Sequence, residues 1–353
     1  MYGEEPISRE RVVMGEPVRT GDVLFSLRDV SVDYATRAGA VKAVDRVSLD
    51  IRKGEILGLV GESGCGKSTL GKAMLRMIQP PGEITEGQMI FDGTDLMTLN
   101  SRRMRELRGA RLGMVFQDPM TSLDPLQKIV DHLTETVMTH EPSTSEAAAR
   151  DRAEQLVSRL GLREERIDDY PHQFSGGMRQ RIMIALALAL RADLVIADEP
   201  TTALDVIVEA QFLDLLRELR AEFDLTIVLI THNIGVVAEV ADRVAVMYAG
   251  RMVEVAGVDG LFLDTKHPYG QGLLKAVPNI QLADAELYQM EGSPPNLLRP
   301  PPGCSFHPRC PSEMPICSSV EPSLRAVDQD HLAACWLYED HPEKRVPVEV
   351  AHD

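Results

Sequence analysis

The sequence predicts an α/β fold: a doubly wound sheet with an inserted helical subdomain, followed by a small Cys- and Pro-rich C-terminal domain. Three observations predict it. A glycine-rich loop, Gly61 to Thr69, lies between an apolar strand and a helix. A second apolar strand, Leu194 to Asp198, ends in two adjacent acids. Strand and helix patterns then alternate from Leu194 to Leu263, as a sheet with helices on both faces requires.

The loop reads Gly61-Glu62-Ser63-Gly64-Cys65-Gly66-Lys67-Ser68-Thr69 and fits G-x-x-x-x-G-K-[ST]. Its glycines let backbone N–H groups converge on phosphate oxygens with no side chains in the way. Lys67 would reach the β- and γ-phosphates of a nucleoside triphosphate, and the Ser68 hydroxyl would ligate Mg²⁺. Glu55 to Val60 reads as the buried strand before the loop, and Thr69 to Ile78 as the helix whose positive end meets the phosphates. Loop amides and Lys67 would favour a thiolate at Cys65. This is a P-loop NTPase pattern.

In the second strand, Asp198 is placed to hold the Mg²⁺ water shell and Glu199 to polarise an attacking water. Upstream, Phe174-Ser175-Gly176-Gly177-Met178-Arg179-Gln180-Arg181 precedes the apolar run Ile182 to Leu190. Ser175 is a candidate N-cap, and the two glycines expose amides at a helix start, a second anion site. One γ-phosphate does not need two such sites from one subunit. Two subunits facing head to tail would use both.

From about Val23 to Pro322 the chain resembles the ATP-binding subunit of an ABC transporter. Phe174-Ser175-Gly176-Gly177-Met178 matches the signature usually written L-S-G-G-Q at its phosphate-contacting Ser and Gly positions. The resemblance makes Gln117 the Q-loop glutamine that touches Mg²⁺ and water, Ala203-Leu204-Asp205 the D-loop, His232 the switch histidine and Tyr34 the ring that stacks on adenine. It divides the chain into an N-terminal extension (1–22), an ABC nucleotide-binding domain (23–265, helical subdomain about 118–181), a linker (266–290), a Cys-rich C-terminal domain (291–340) and a tail (341–353). Within the subdomain, Ile129 to Thr139 and Ser145 to Leu160 read as helices. Asp118-Pro119-Met120-Thr121-Ser122-Leu123-Asp124-Pro125 is a stiff turn by its prolines. Its wording resembles the peptide and nickel importer branch, whose members receive a coupling helix of the membrane subunit there. Lys266-His267-Pro268-Tyr269 and Leu273 to Pro278 are similar to that branch too.

Composition narrows the setting. The 353 residues carry 37 basic and 54 acidic side chains, a net charge of −17. That balance disfavours nucleic acid and an acidic membrane surface. No apolar run approaches the ~20 residues that span a bilayer, and Met1 to Gly21 has neither signal-peptide nor amphipathic-anchor character. The expectation is a protein soluble by itself, held at the cytoplasmic face of the membrane by two transmembrane permease subunits. The resemblance adds a second, different ABC ATPase subunit as dimer partner and, indirectly, an extracytoplasmic substrate-binding protein. The implied activity is ATP hydrolysis powering di- or oligopeptide uptake. Nickel chelates, oligosaccharides or another small solute remain alternatives, because the ATPase never touches cargo. A soluble ABC ATPase of DNA repair or translation fits less well: those carry fused modules or long insertions.

After Asp264, proline and cysteine replace periodic patterns. Cys304, Cys310, Cys317 and Cys335 lie in a stretch with too few apolar residues for its own core, so something other than hydrophobic burial is expected to hold it. In a reducing compartment four thiolates suit Zn²⁺ or a [4Fe–4S] cluster, unless they stay metal-free. The spacing C-x5-C-x6-C-x17-C lacks the close pairs of zinc ribbons; the family resemblance favours the iron–sulfur cluster. His307 and His331 lie nearby as further zinc candidates. Replacing any one of these cysteines is expected to leave ATP binding largely unaffected, because the phosphate loop and the signature lie in a different domain.

Overall fold

A computed structural model describes residues 22–118, 122–202, 204–276 and 290–339. The N-terminal extension up to residue 21, the coupling-turn residues 119–121, Ala203, most of the linker and the tail from residue 340 lie outside the described residues.

The elements run β1 (Val23–Thr36), β2 (Gly39–Arg52), β3 (Ile56–Val60), α1 (Lys67–Met74), β4 (Gly82–Phe91), β5 (Thr94–Asp95), α2 (Ser101–Leu107) and β6 (Leu112–Val115). The helical subdomain follows with α3 (Ile129–His140), α4 (Glu146–Arg159) and α5 (Gly176–Leu188). Then come β7 (Leu194–Asp198), α6 (Val206–Phe223), β8 (Thr226–Thr231), α7 (Ile234–Val240), β9 (Arg243–Tyr248) and β10 (Arg251–Gly257). Helices α8 (Val258–Leu263) and α9 (Pro268–Lys275) lead to β11 (Arg325–Asp328) and β12 (His331–Ala333).

Two sheets carry the fold. The first is antiparallel, in the order β2-β1-β4-β5. The second has the order β11-β12-β10-β9-β3-β8-β7-β6, with β9-β3-β8-β7-β6 parallel. Strands β3, β7 and β8 are buried throughout, which is why they read as continuous apolar runs rather than alternating ones. Alternation survives as a choice of core. Ile56, Val195, Ile227 and Leu229 face the helical side, whereas Leu57, Leu59, Leu194, Ile196 and Ile230 face α1 and the antiparallel sheet.

Helices α3 and α4 agree with expectation, and the Ser145 hydroxyl caps α4 by accepting from Ala148 N–H. The helix expected over Thr69–Ile78 is shifted: α1 starts at Lys67 and ends at Met74. Its N-cap, Gly66, has φ +107°, and a Cβ there would lie 2.1 Å from the Ala43 carbonyl oxygen. Only glycine lets the phosphate loop turn into a helix against β2.

The C-terminal segment contributes two strands to the main sheet, since β12 pairs antiparallel with β10 and β11 with β12. Hydrophobic burial also holds it, contrary to the expectation from composition. Phe306, 1% exposed, inserts its ring among Tyr248, Tyr269 and His267, with centroids 5.2, 5.5 and 5.7 Å away. A borrowed strand and an aromatic plug supply what the segment cannot build alone.

Candidate functional site

The order β3-β8-β7-β6 explains why residues far apart in sequence meet. Each strand ends in a motif: the phosphate loop after β3, His232 after β8, Asp198 and Glu199 at β7, Gln117 after β6. All four strands are parallel, so these ends share one edge of the sheet, the crevice where doubly wound folds bind ligands.

Lys67 is buried, and its Nζ donates to the carbonyl oxygens of Gly61 at 2.7 Å and Glu62 at 3.0 Å. Ser68 Oγ donates to Asp198 Oδ1 at 2.7 Å. Burial raises the Asp198 carboxyl above its ordinary value, against the lowering from Ser68 and Lys72. A hydroxyl and a carboxylate side by side at the loop's end form an oxygen donor set suited to a hard divalent cation such as Mg²⁺.

Glu199 is the hub. Its carboxylate accepts from Gln117 Nε2 at 3.0 Å and Thr202 Oγ1 at 3.1 Å, and lies 3.2 Å from His232 Nδ1. Its backbone sits at φ +45°, a left-handed conformation that glutamate rarely adopts, and its N–H is tied to Ile230 O at 2.8 Å. Strain of this kind persists where the surroundings over-determine it. Thr202 carries no motif and was missed by sequence reasoning. Its position, three residues after Glu199, is the signal that could have found it.

Tyr34 is half-buried on β1 opposite Val41 of β2, the strand that lies against the phosphate loop at Ala43. Ser175 is the N-cap of α5, accepting from Met178 N–H at 3.4 Å, and Gly176 opens that helix. Gly177 packs so closely on α6 that a Cβ would meet Val208 Cγ1 at 2.6 Å. Asp205 caps α6 through Val208 N–H. Ser175 and its glycines thus sit in the helical layer, whereas Gly61, Ser63, Gly64, Gly66 and Thr69 belong to the phosphate loop and α1.

Cys65 corrects one expectation. The thiol is 5% exposed, and burial pushes its pKa above the ordinary value despite Lys67 Nζ at 3.8 Å. The loop amides do not make it a thiolate; desolvation wins.

All four C-terminal cysteines, Cys304, Cys310, Cys317 and Cys335, line one small cavity with His307, and none is in a disulfide. Among the described residues, however, no three Cys, His, Asp or Glu side chains are grouped closely enough to hold a metal ion. Convergence is present, and coordination geometry is not. Burial raises the thiols of Cys304 to about 11 and of Cys335 to about 12. His331 is committed elsewhere: its Nε2 lies 2.7 Å from Glu254 Oε1 in a buried pair.

The C-terminal segment also reaches the phosphate loop. Arg309 forms a two-pronged ion pair with Glu62, Nη1 to Oε2 at 2.8 Å and Nη2 to Oε1 at 2.9 Å. No sequence motif announced this contact.

Comparison with known proteins agrees with this geometry. Residues 44–202 match the family model for ABC transporters, and residues 253–317 match the model for the oligopeptide/dipeptide transporter C-terminal region. The dipeptide transport ATP-binding protein DppD of Bacillus subtilis is 45% identical over 326 residues, covering 92% of this chain and 97% of that protein. The oligopeptide transport ATP-binding protein OppD of Salmonella typhimurium is 45% identical over 317 residues, covering 89% and 94%. Among solved structures, the dimeric bacterial ABC transporter cassette MJ0796 superposes with a TM-score of 0.61 at 28% identity, over 66% of this chain and 98% of that one. A second MJ0796 dimer, in a post-hydrolysis state bound to ADP and Pi, matches equally well. Among the described residues no helix is long and apolar enough to cross a membrane.

Proposed function

Because the chain belongs to the ABC transporter family, among its dipeptide and oligopeptide transport ATP-binding proteins, we propose that it hydrolyses ATP to power peptide import through separate permease subunits. One observation carries the catalytic part: the Glu199 carboxylate is held by Gln117, Thr202 and His232 beside the Ser68–Asp198 pair.

Lys67 and the loop amides bind the polyphosphate. Ser68, Asp198 and Gln117 are the residues to hold Mg²⁺, which when bound supplies charge neutralisation on the β- and γ-phosphates. Tyr34 packs against the adenine. Glu199 takes the proton of the attacking water, and His232 holds the γ-phosphate. Ser175, Gly176 and Gly177 close on the γ-phosphate of the opposing subunit, and Asp205 lies at that same junction. Each ATP is then enclosed by two chains. The partner is a second, related ATPase, and the complex sits at the cytoplasmic face of the membrane with a substrate-binding protein outside. Differential ATP affinity between closed and open states drives the cycle.

Glu199→Gln keeps size and hydrogen bonding and removes the base. Hydrolysis in the assembled complex falls by about 10²–10⁴-fold while ATP binding survives. Lys67→Ala loses nucleotide affinity instead. Near-normal turnover of Glu199→Gln would remove Glu199 from its role.

The converging thiols support a further reading. Cys304, Cys310, Cys317 and Cys335 are the residues that would hold a [4Fe–4S] cluster, with one Zn²⁺ as the alternative. Four soft donors line one cavity and suit either group in chemistry, but as they stand no three of them are close enough to ligate a metal, so loading requires the thiols to draw together. Anaerobically purified protein is expected to be brown, with about four irons per chain. A colourless protein with one zinc, or with neither metal, would contradict the cluster.

A further inference from the structure

We infer that Arg309 is a positioning residue for the nucleotide site, holding the phosphate loop through Glu62; this rests on the reading of that loop as the ATP site. Arg309 is among the most enclosed cations of the C-terminal segment, its side chain only 5% exposed. Beyond its two bonds to the Glu62 carboxylate, it donates to the Glu291 carbonyl at 3.0 Å and to Tyr248 Oη at 3.2 Å. The Glu62 hydrogen bond holds it firmly protonated.

Glu62 is gripped at three points. Its carboxylate is on Arg309, its backbone N–H donates to Tyr269 Oη at 2.8 Å, and its carbonyl receives Lys67 Nζ at 3.0 Å. Two of these three partners come from chain beyond residue 265. The third is the lysine that serves the phosphates. An anion within the phosphate loop opposes a bound polyphosphate unless a cation neutralises it and keeps it on the far partner. Arg309 supplies that cation.

The segment around Arg309 is itself tightly set. It ends the turn His307–Arg309, whose bonds run from Arg309 N to Phe306 O, from His307 N to Cys304 O and from Cys310 N to His307 O. Gly303, at φ +68°, admits this turn because a Cβ would lie 2.3 Å from the Cys317 carbonyl oxygen. Cysteines 304 and 310 bracket the arginine, so the cysteine cavity and the phosphate loop share one short connection.

The test measures Mg-ATP binding to the full chain, and KM and kcat in the assembled transporter. Arg309→Gln is expected to raise the Mg-ATP Kd and KM by roughly 5- to 100-fold, with kcat within about twofold. Adding Glu62→Gln to that variant removes the exposed anion and restores most of the affinity, and Arg309→Lys falls between. Arg325→Gln, on an exposed arginine paired with Glu339 in the same segment, serves as control and leaves Kd unchanged. A lowered melting temperature with wild-type Kd in Arg309→Gln would overturn the inference, as would failure of Glu62→Gln to relieve the defect. Should Arg309→Gln not fold, Arg309→Lys with and without Glu62→Gln gives the same comparison. Absence of Mg-ATP binding in the unaltered chain would instead sink the ATP-site reading.

Discussion

At Glu199, backbone and side chain are both constrained. The left-handed φ turns the carboxylate back over the strand end, where Gln117, Thr202 and His232 converge on it. Residues of this kind were legible in the sequence because phosphate and water chemistry demand particular groups at particular spacings. Cys65 was not, because burial is set by what packs over a residue and not by its neighbours in the chain. Its raised thiol gives a prediction opposite to loop electrostatics alone. At pH 7 a thiol reagent labels Cys65 in the folded chain slowly, with or without Mg-ATP, and rapidly in denaturant. Mass spectrometry of labelled peptides reads this directly; fast stoichiometric labelling of the folded chain would contradict it.

At the scale of elements, periodicity located α3, α4 and the parallel strands, since an amphipathic helix and a doubly buried strand leave different patterns. It mistook the bounds of α1, where Gly66 starts the helix inside the motif itself. Helix α9 carries a pH-dependent consequence. His267, its N-cap, accepts from Tyr269 N–H through Nδ1, and burial lowers its pKa to about 4. The unfolded chain binds this proton below about pH 6.5 while the folded chain refuses it until about pH 4. Stability is therefore lost as pH falls through that window, by about 2 kcal/mol between pH 7.5 and 5 from this group alone. His267→Asn keeps a capping acceptor and removes the titration. Denaturant melts at the two pH values should show a smaller acid loss in the variant, whatever its overall stability; an equal loss would count against a neutral buried His267.

Across the whole molecule, the C-terminal segment is joined to the nucleotide domain by several contacts, among them the β12–β10 pairing, the Phe306 plug, the buried His331–Glu254 pair and the Arg309–Glu62 pair. None of these was legible. Glu62 and Arg309 lie 247 positions apart, and neither belongs to a pattern that names a partner. Composition correctly marked the segment as unable to build its own core, but could not show which surface it would borrow. Replacing Cys317 with serine should accordingly leave the segment docked, since strand and plug remain, while any bound metal weakens. Limited proteolysis checks the first and metal analysis the second; wholesale cleavage at the segment in metal-replete protein would show that the thiols, not the packing, hold it.

We read this chain as converting ATP hydrolysis into peptide import. The direct measurement is uptake into vesicles that contain its permease and partner ATPase subunits, with the substrate-binding protein on the side from which cargo is delivered. On that reading, labelled di- or oligopeptide accumulates only with ATP, and Glu199→Gln in this chain reduces the accumulation by about 10²-fold or more. ATP hydrolysis stimulated by a nickel chelate or an oligosaccharide, with no peptide accumulating under any loading of the binding protein, would contradict it.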